Sequence, residues 1–279
     1  MIRATLADRA EVAGFLRRHL PIAMFPLANL HRHGMAGGHP RAMSFWLCKD
    51  RGAITDIAAI SDGGSLFPVC PTHPWADLRA AMQGSAVCAI LGDAAQVTGL
   101  RAALGLEQAA GYATTEPHYD LPLTDLVMPD TDGFTLRPLV DAPRDLVIGW
   151  RRAYLSETML GQENDMDATA IKDIDSYLAV DSHRVLFDGD TPVAMTGFNA
   201  VLHDAVQIGG VYTPPGLRSR GLARRAVALH LAQARAVGVS RAILFAASAA
   251  ASTAYQAIGF RRIGAFAIVL HAEPQVVHG

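Results

Sequence analysis

The sequence predicts a mixed α/β protein built as two similar units, each with a partly antiparallel and partly parallel sheet covered by helices. Three observations carry that expectation. In each half, two short alternating strands joined by a tight turn are followed by strands that helices connect. The second half repeats the opening of the first: at an offset of 134 positions, Ile2 corresponds to Leu136, Arg3 to Arg137, Glu11 to Asp145, Val12 to Leu146, Leu16 to Trp150, and Arg17-Arg18 to Arg151-Arg152. The chain has 279 residues, 51 % of them hydrophobic, enough apolar surface for two modest cores.

Taken in order, Ile2–Ala4 reads as a strand leading into an amphipathic helix. Met43–Asp50 and Ala53–Ile60 form the first strand pair around Asp50-Arg51-Gly52; Arg184–Asp188 and Pro192–Phe198 form the second around Asp188-Gly189-Asp190. Helix, strand and helix then follow as Trp75–Met82, Val87–Leu91 and Ala94–Leu104 in the first half. Their counterparts are Leu222–Ala236, Ala242–Phe245 and Ser252–Ile258. Thr124–Gly133, aperiodic and with Pro129 and three aspartates, reads as a linker. The expected division is therefore 1–123, linker 124–133, and 134–279.

Composition excludes several classes. A formal charge of −2 supplies no broad basic field for nucleic acid. Cys48, Cys70 and Cys88 lack paired spacing, which predicts reduced thiols and no zinc. His31, His33 and His39 read as a histidine-rich loop without a carboxylate ligand, so no metal is expected. No signal-peptide pattern opens the chain, and the apolar stretch Ala242–Phe260 is broken by Ser248, Ser252, Thr253, Gln256 and Gly259. The expectation is a soluble, cytoplasmic protein with no membrane partner.

The most informative segment is Val206–Ala223. A strand-like run to Thr213 passes through Pro214-Pro215-Gly216 into Leu217-Arg218-Ser219-Arg220-Gly221-Leu222-Ala223, where an alanine-rich helix begins. The unpartnered N–H groups of a helix start attract an anion, Gly221 and Ala223 leave room for a pyrophosphate, and Arg218 and Arg220 add charge. Gly216 and Gly221 have the spacing of half a Walker A loop, but Leu222-Ala223 stand where Lys and Ser/Thr belong, so γ-phosphate and Mg²⁺ chemistry is unsupported. Gly-x-Gly-x-x-Gly is absent as well. The pattern suits a pyrophosphate that is held and not cleaved.

Val211 through Ala223 resembles the cofactor motif of the GNAT superfamily, whose core is Q/R-x-x-G-x-G/A, with Arg218, Gly221 and Ala223 at the three fixed positions. Ser248–Phe260 is similar to the later family motif N-x-x-A-x-x-x-Y-x-x-x-G-F through Ala251, Tyr255, Gly259 and Phe260, with Ser248 in place of asparagine. The resemblance implies two GNAT-like units in tandem and acetyl-CoA as cosubstrate. By motif position, Val211, Thr213, Arg218, Ser219, Arg220, Gly221, Leu222, Ala223 and Ser248 would contact the cofactor. An amine would attack the thioester directly, the backbone N–H of Val211 or a neighbour would meet the oxyanion, and Tyr255 would protonate the departing thiolate.

The proton acceptor stays open: Ala205 occupies the strand position where some relatives carry glutamate, and Asp204, His203 and Glu157 are candidates acting through water. Acidic residues between Glu157 and Asp175 line the expected acceptor side and would suit a cationic amine. In the first half, the corresponding connection Leu66–Pro74 lacks Arg-x-x-Gly-x-Ala and holds three prolines, which remove N–H donors. One CoA site per chain is expected, with the first half shaping the acceptor pocket or a packing interface. The acceptor is expected to be a primary amine on a small molecule or peptide, with a homodimer left open. The alternative is a non-catalytic acyl-CoA-binding sensor or scaffold.

Overall fold

The structure is a computed structural model that describes residues 1–108, 110–158 and 165–278. The first part of the chain forms β1 (Ile2–Arg3), α1 (Arg9–Arg18), α2 (Leu20–His33), β2 (Met43–Asp50), β3 (Ala53–Ser61), β4 (Ser65–Val69), α3 (Trp75–Met82), β5 (Ala86–Asp93) and α4 (Ala94–Leu104). Next come β6 (Tyr112–Pro122), β7 (Phe134–Pro138), α5 (Arg144–Glu157), α6 (Met166–Ala179), β8 (His183–Asp188), β9 (Thr191–Val201) and β10 (Ala205–Tyr212). The chain closes with α7 (Leu222–Ala236), β11 (Arg241–Phe245), α8 (Ala249–Gln256) and β12 (Arg261–Val276). No described helix is long and apolar enough to cross a membrane.

Two compact units result, Met1–Glu116 with Gly264–Gly279, and Pro117–Ile263. The strand order in the first is β1-β2-β3-β4-β5-β12, and in the second β7-β8-β9-β10-β11-β6. The orders correspond strand for strand, and each contains one parallel pair, β4 with β5 and β10 with β11, among antiparallel neighbours. Each unit draws its last strand from the other half of the sequence. Phe266–Val276 pairs with β5, and His118–Pro122 pairs with β11. The segment 124–133, expected as a linker, lies within the second unit, where Leu126 is buried and the Val127 N–H donates to the Ile258 carbonyl at 3.1 Å.

α2 lies outside the expected elements, and it carries Pro26 in its interior. Leu20, Ala23, Met24, Leu27 and Leu30 are all buried at helical spacing, and this apolar stripe outweighs the one backbone hydrogen bond that the proline removes. His31 and His33 consequently sit in the last helical turn and not in a loop, and the ring of His33 stacks on His39 at 3.9 Å. Among the described residues, no group of three or more His, Cys, Asp or Glu side chains could hold a metal.

In the second unit, strand alternation sends Val185 and Phe187 to one face and Leu186 to the other. The first face packs under α5 and α6 with Trp150, Ile174, Met195 and Tyr212. The second packs under α7, where Leu222 and Ala226 meet Val193 and Ala194. Further along α7, Val227 and Leu231 are fully buried, each contributing roughly 2 kcal/mol of hydrophobic stabilisation. The buried alanines Ala226, Ala228 and Ala234 keep α7 close to the sheet.

Candidate functional site

The site begins where β10 leaves its parallel neighbour. Pairing with β11 runs from Ala205↔Arg241 to Ile208↔Leu244, whereas β10 continues to Tyr212. On its other side, the register with β9 shifts between Gly209↔Gly197 and Tyr212↔Met195, so Gly210 and Val211 form a bulge. Gly210 has φ +62°, a left-handed conformation that aims the local peptide groups out of the ladder.

After Thr213-Pro214, one turn of 3₁₀ helix at Pro215–Leu217 leads to extended Arg218 and then to Ser219 with φ +63°. Gly221, with φ +73° and ψ 15°, sits at the N-terminal position of α7, and no side chain caps that helix. The first-turn N–H groups therefore keep their capacity to bind an anion. A Cβ on Gly221 would lie 3.1 Å from Arg225 Nη1 and 3.3 Å from Arg224 Nη2, so two guanidinium groups already crowd this corner. Arg225 is braced there by donating to the carbonyls of Arg220 at 2.8 Å and Asp130 at 2.7 Å. Leu222 is buried in the core, which leaves only its backbone to a ligand, while Ser219 and Arg220 are exposed.

Arg218 is engaged differently. Its Nη2 donates to both carboxylate oxygens of Glu157, at 2.8 and 2.6 Å, and its Nε donates to the Thr213 carbonyl at 2.9 Å. The guanidinium also lies 5.8 Å from the centre of the Tyr212 ring. Arg218 thus ties the loop to the end of α5, and among the described residues Arg220, Arg224 and Arg225 make no ion pair and carry the positive charge of the corner. Burial, reinforced by the Glu157 carboxylate, pushes the Tyr212 phenol up, which keeps it neutral at ordinary pH.

Tyr255, on α8, is 7 % exposed and meets Phe260 edge-on at 6.1 Å between ring centres. It belongs to the same apolar cluster as Ile208, against which Val211 packs. Ser248 caps α8, accepting from the Ala251 N–H at 3.1 Å. The polar position that differs from the family pattern therefore has a structural use that asparagine shares.

Two expectations about the acceptor side change. Asp204 and His203 lie in the turn before β10, which puts them about 23 to 26 Å of extended strand from Val211 at roughly 3.3 Å per residue. Glu157 has both oxygens committed to Arg218. None of the three is brought to the bulge as a free base. The acidic residues of α6 are also largely spent: Asp173 pairs with Arg151 at 2.7 Å, Asp167 with Arg152 at 3.1 Å, and Asp175 with Arg144, while Asp165 caps the helix through the Ala168 N–H. They clamp α5 to α6 and do not present a free acidic surface. Glu163 lies outside the described residues.

A residue that sequence reasoning missed is His183, fully buried on β8 against Gly197 and Gly210. The only sequence signal was the glycines opposite it, and glycine alone does not reveal what fills the space.

In the first unit the equivalent loop spends its donors within the chain. β4 and β5 also pair only at Ser65↔Ala89 and Leu66↔Ile90 before diverging. There, however, the Cys70 N–H donates to Gln96 Oε1 at 2.8 Å. The Thr72 N–H and hydroxyl donate to the two oxygens of Asp56, at 2.8 and 2.7 Å. Asp56 is fully buried. A carboxylate of the chain itself takes the loop donors, a second obstacle to phosphate beside the prolines.

A splayed parallel strand pair, a bulge at the splay and an uncapped, arginine-ringed helix start define an α/β protein of the acyl-CoA N-acyltransferase type. Residues 149–260 match the family model described as acetyltransferase (GNAT) family. Among solved structures it is similar to a Drosophila protein, with 12 % identity, 96 % of this chain and 97 % of that chain covered, and a TM-score of 0.62. A GCN5-related N-acetyltransferase from Sphaerobacter thermophilus matches at 14 % identity over 100 % of this chain and 96 % of that one, with a TM-score of 0.60. A tandem GNAT protein from the clavulanic acid biosynthesis pathway matches at 10 % identity, 98 % and 96 % coverage, and a TM-score of 0.56. At these identities the likeness concerns the fold, two GNAT-like units in tandem. No curated protein matches the sequence.

Proposed function

We propose that the unit Pro117–Ile263 binds acetyl-CoA and transfers its acetyl group to a primary amine of a small molecule or peptide by direct attack. The observation that carries this reading is the passage from the β10 bulge into the uncapped N-terminus of α7, ringed by Arg220, Arg224 and Arg225. Acetyl-CoA is the cosubstrate of the GNAT family, and a pyrophosphate suits this corner in charge and in backbone donors. Arg218, Ser219, Arg220, Gly221, Leu222 and Ala223 would hold the pyrophosphate, mainly through their N–H groups. Val211 and Thr213 would lie along the pantetheine arm, and the hydroxyl of Ser248 would add one contact.

The thioester carbonyl would then sit at the bulge, where a backbone N–H of Val211 meets the oxyanion as it forms. The incoming amine forms its C–N bond to the carbonyl carbon, the C–S bond breaks, and Tyr255 supplies the proton to the sulfur. The proton lost by the amine goes to solvent or to a base not yet assigned. The first unit, whose loop donors are consumed by Asp56 and Gln96, is assigned no CoA.

A panel of primary amines incubated with acetyl-CoA and followed by free-thiol release tests the reading. The expected result is turnover with at least one class of amine well above thioester hydrolysis. Binding of acetyl-CoA without turnover on any amine would favour the sensor or scaffold reading instead.

A further inference from the structure

Glu157, the last residue of α5, is tied to the phosphate loop by its pair with Arg218. Nη2 of the arginine donates to both carboxylate oxygens, at 2.8 and 2.6 Å, and its Nε donates to the Thr213 carbonyl at 2.9 Å. The guanidinium lies 5.8 Å from the centre of the Tyr212 ring. Burial and then the nearby Glu157 carboxylate raise the Tyr212 phenol, a second sign that the carboxylate and this ring are neighbours. Glu157 therefore stands beside Tyr212 and Thr213, the two residues that follow the Gly210–Val211 bulge.

Its face of the sheet matters. Tyr212 packs with Trp150 and Ile174 under α5 and α6, whereas the loop proposed for the pyrophosphate leads into α7, which packs on the opposite face. An acetyl group brought to the bulge from the α7 side meets the end of α5 on the other face of β10, and with it the Glu157 carboxylate. The α6 carboxylates Asp167, Asp173 and Asp175 are held by arginines of α5 instead.

The pair with Arg218 is of a kind that exchanges readily. The two side chains are 45 % and 41 % exposed, and ion pairs so open to water contribute little to stability. Arg218 also belongs to the loop that is proposed to hold the pyrophosphate. A pyrophosphate carries more charge than a carboxylate and presents oxygens that a guanidinium fork can take two at a time. Bound at this loop, it competes with Glu157 for the same arginine.

We propose that Glu157 is the proton acceptor of the transfer, kept paired with Arg218 until the pyrophosphate of acetyl-CoA draws that guanidinium away. The proposal rests on the acetyl-transfer reading and supplies the base that the reading lacks. The amine nitrogen bonds to the carbonyl carbon and loses a proton to the freed carboxylate, while the C–S bond breaks and the sulfur takes the proton of Tyr255. Glu157 then gives its proton to water and Tyr255 regains one from water, so the chain ends as it began. The pairing also imposes an order, since the amine finds its base only after acetyl-CoA is bound.

The test uses Glu157→Gln, which keeps the size of the side chain and an acceptor for Arg218 but removes the charge. Its kcat is expected to fall by about 100-fold or more, the loss of a general base. Its acetyl-CoA Kd, read by calorimetry without turnover, is expected to tighten by about 2- to 5-fold, because the competing carboxylate is gone. In Glu157→Ala, added formate is expected to restore part of the lost kcat in proportion to its concentration, which a side chain that merely braces the loop would not allow. Wild-type kcat in Glu157→Gln, or a loss in Glu157→Ala that formate leaves untouched, would overturn the base role with the acetyltransferase reading intact. An unchanged or weaker Kd in Glu157→Gln would overturn the exchange of partners. If wild type itself acetylates no amine, the transferase reading falls and the base role falls with it.

Discussion

Replacing Gly221 with aspartate is expected to weaken acetyl-CoA binding by about 100-fold, or roughly 2.7 kcal/mol, while the protein stays folded. Aspartate is among the residues that tolerate left-handed backbone, so φ +73° costs it little. Its Cβ would meet only the flexible ends of Arg224 and Arg225. The new carboxylate would pair with those guanidinium groups and stand at the helix start where the pyrophosphate is placed. The variant would do to the second unit what Asp56 does to the first, where a carboxylate accepts the loop donors of Thr72. Calorimetry with acetyl-CoA reads the effect directly. An unchanged Kd would remove this corner from the cofactor site.

The second large effect is expected from Tyr255→Phe. The ring is nearly buried and packs edge-on against Phe260, and phenylalanine preserves that contact. What is lost is the proton donor, and general-acid catalysis contributes typically 10²- to 10⁴-fold. A fall in kcat of at least about 100-fold is expected, with acetyl-CoA affinity within about 2-fold. The loss should shrink for acyl thioesters whose thiolate is a better leaving group, because such a thiolate needs less help from an acid. Equal turnover of the variant and wild type at saturating acetyl-CoA would eliminate the acid role.

Much of this architecture is legible in local sequence. The hairpins around Asp50-Arg51-Gly52 and Asp188-Gly189-Asp190, and the helices Trp75–Met82, Ala94–Leu104 and Leu222–Ala236, follow from turn chemistry and helical spacing, both of which act over a few residues. The phosphate loop is legible for the same reason: strand, proline pair, glycine and helix are contiguous. α2 is less legible: Pro26 is a local signal against helix, and the tertiary burial that overrides it leaves only a stripe of apolar residues to read.

Partnership over long distances is the harder part. Nothing in the period of β6 or β12 says that His118–Pro122 will pair with β11 and Phe266–Val276 with β5, since alternation specifies a strand and not its neighbour. The same gap concealed the side-chain pairings at the site. Glu157 and Arg218 are 61 residues apart, and the α5 arginines lie 15 to 31 residues from their α6 partners. A run of acidic residues looks like a surface for a cation until the fold supplies its arginines. His183 was concealed for a related reason: Gly197 and Gly210 approach it only once three strands are assembled.

The most direct measurement is an isothermal titration of the wild-type protein with acetyl-CoA, read for stoichiometry. The expected result is one molecule bound per chain, with the site in Pro117–Ile263 and none in the unit whose loop is closed by Asp56 and Gln96. Two molecules per chain, or none at millimolar acetyl-CoA, would contradict it.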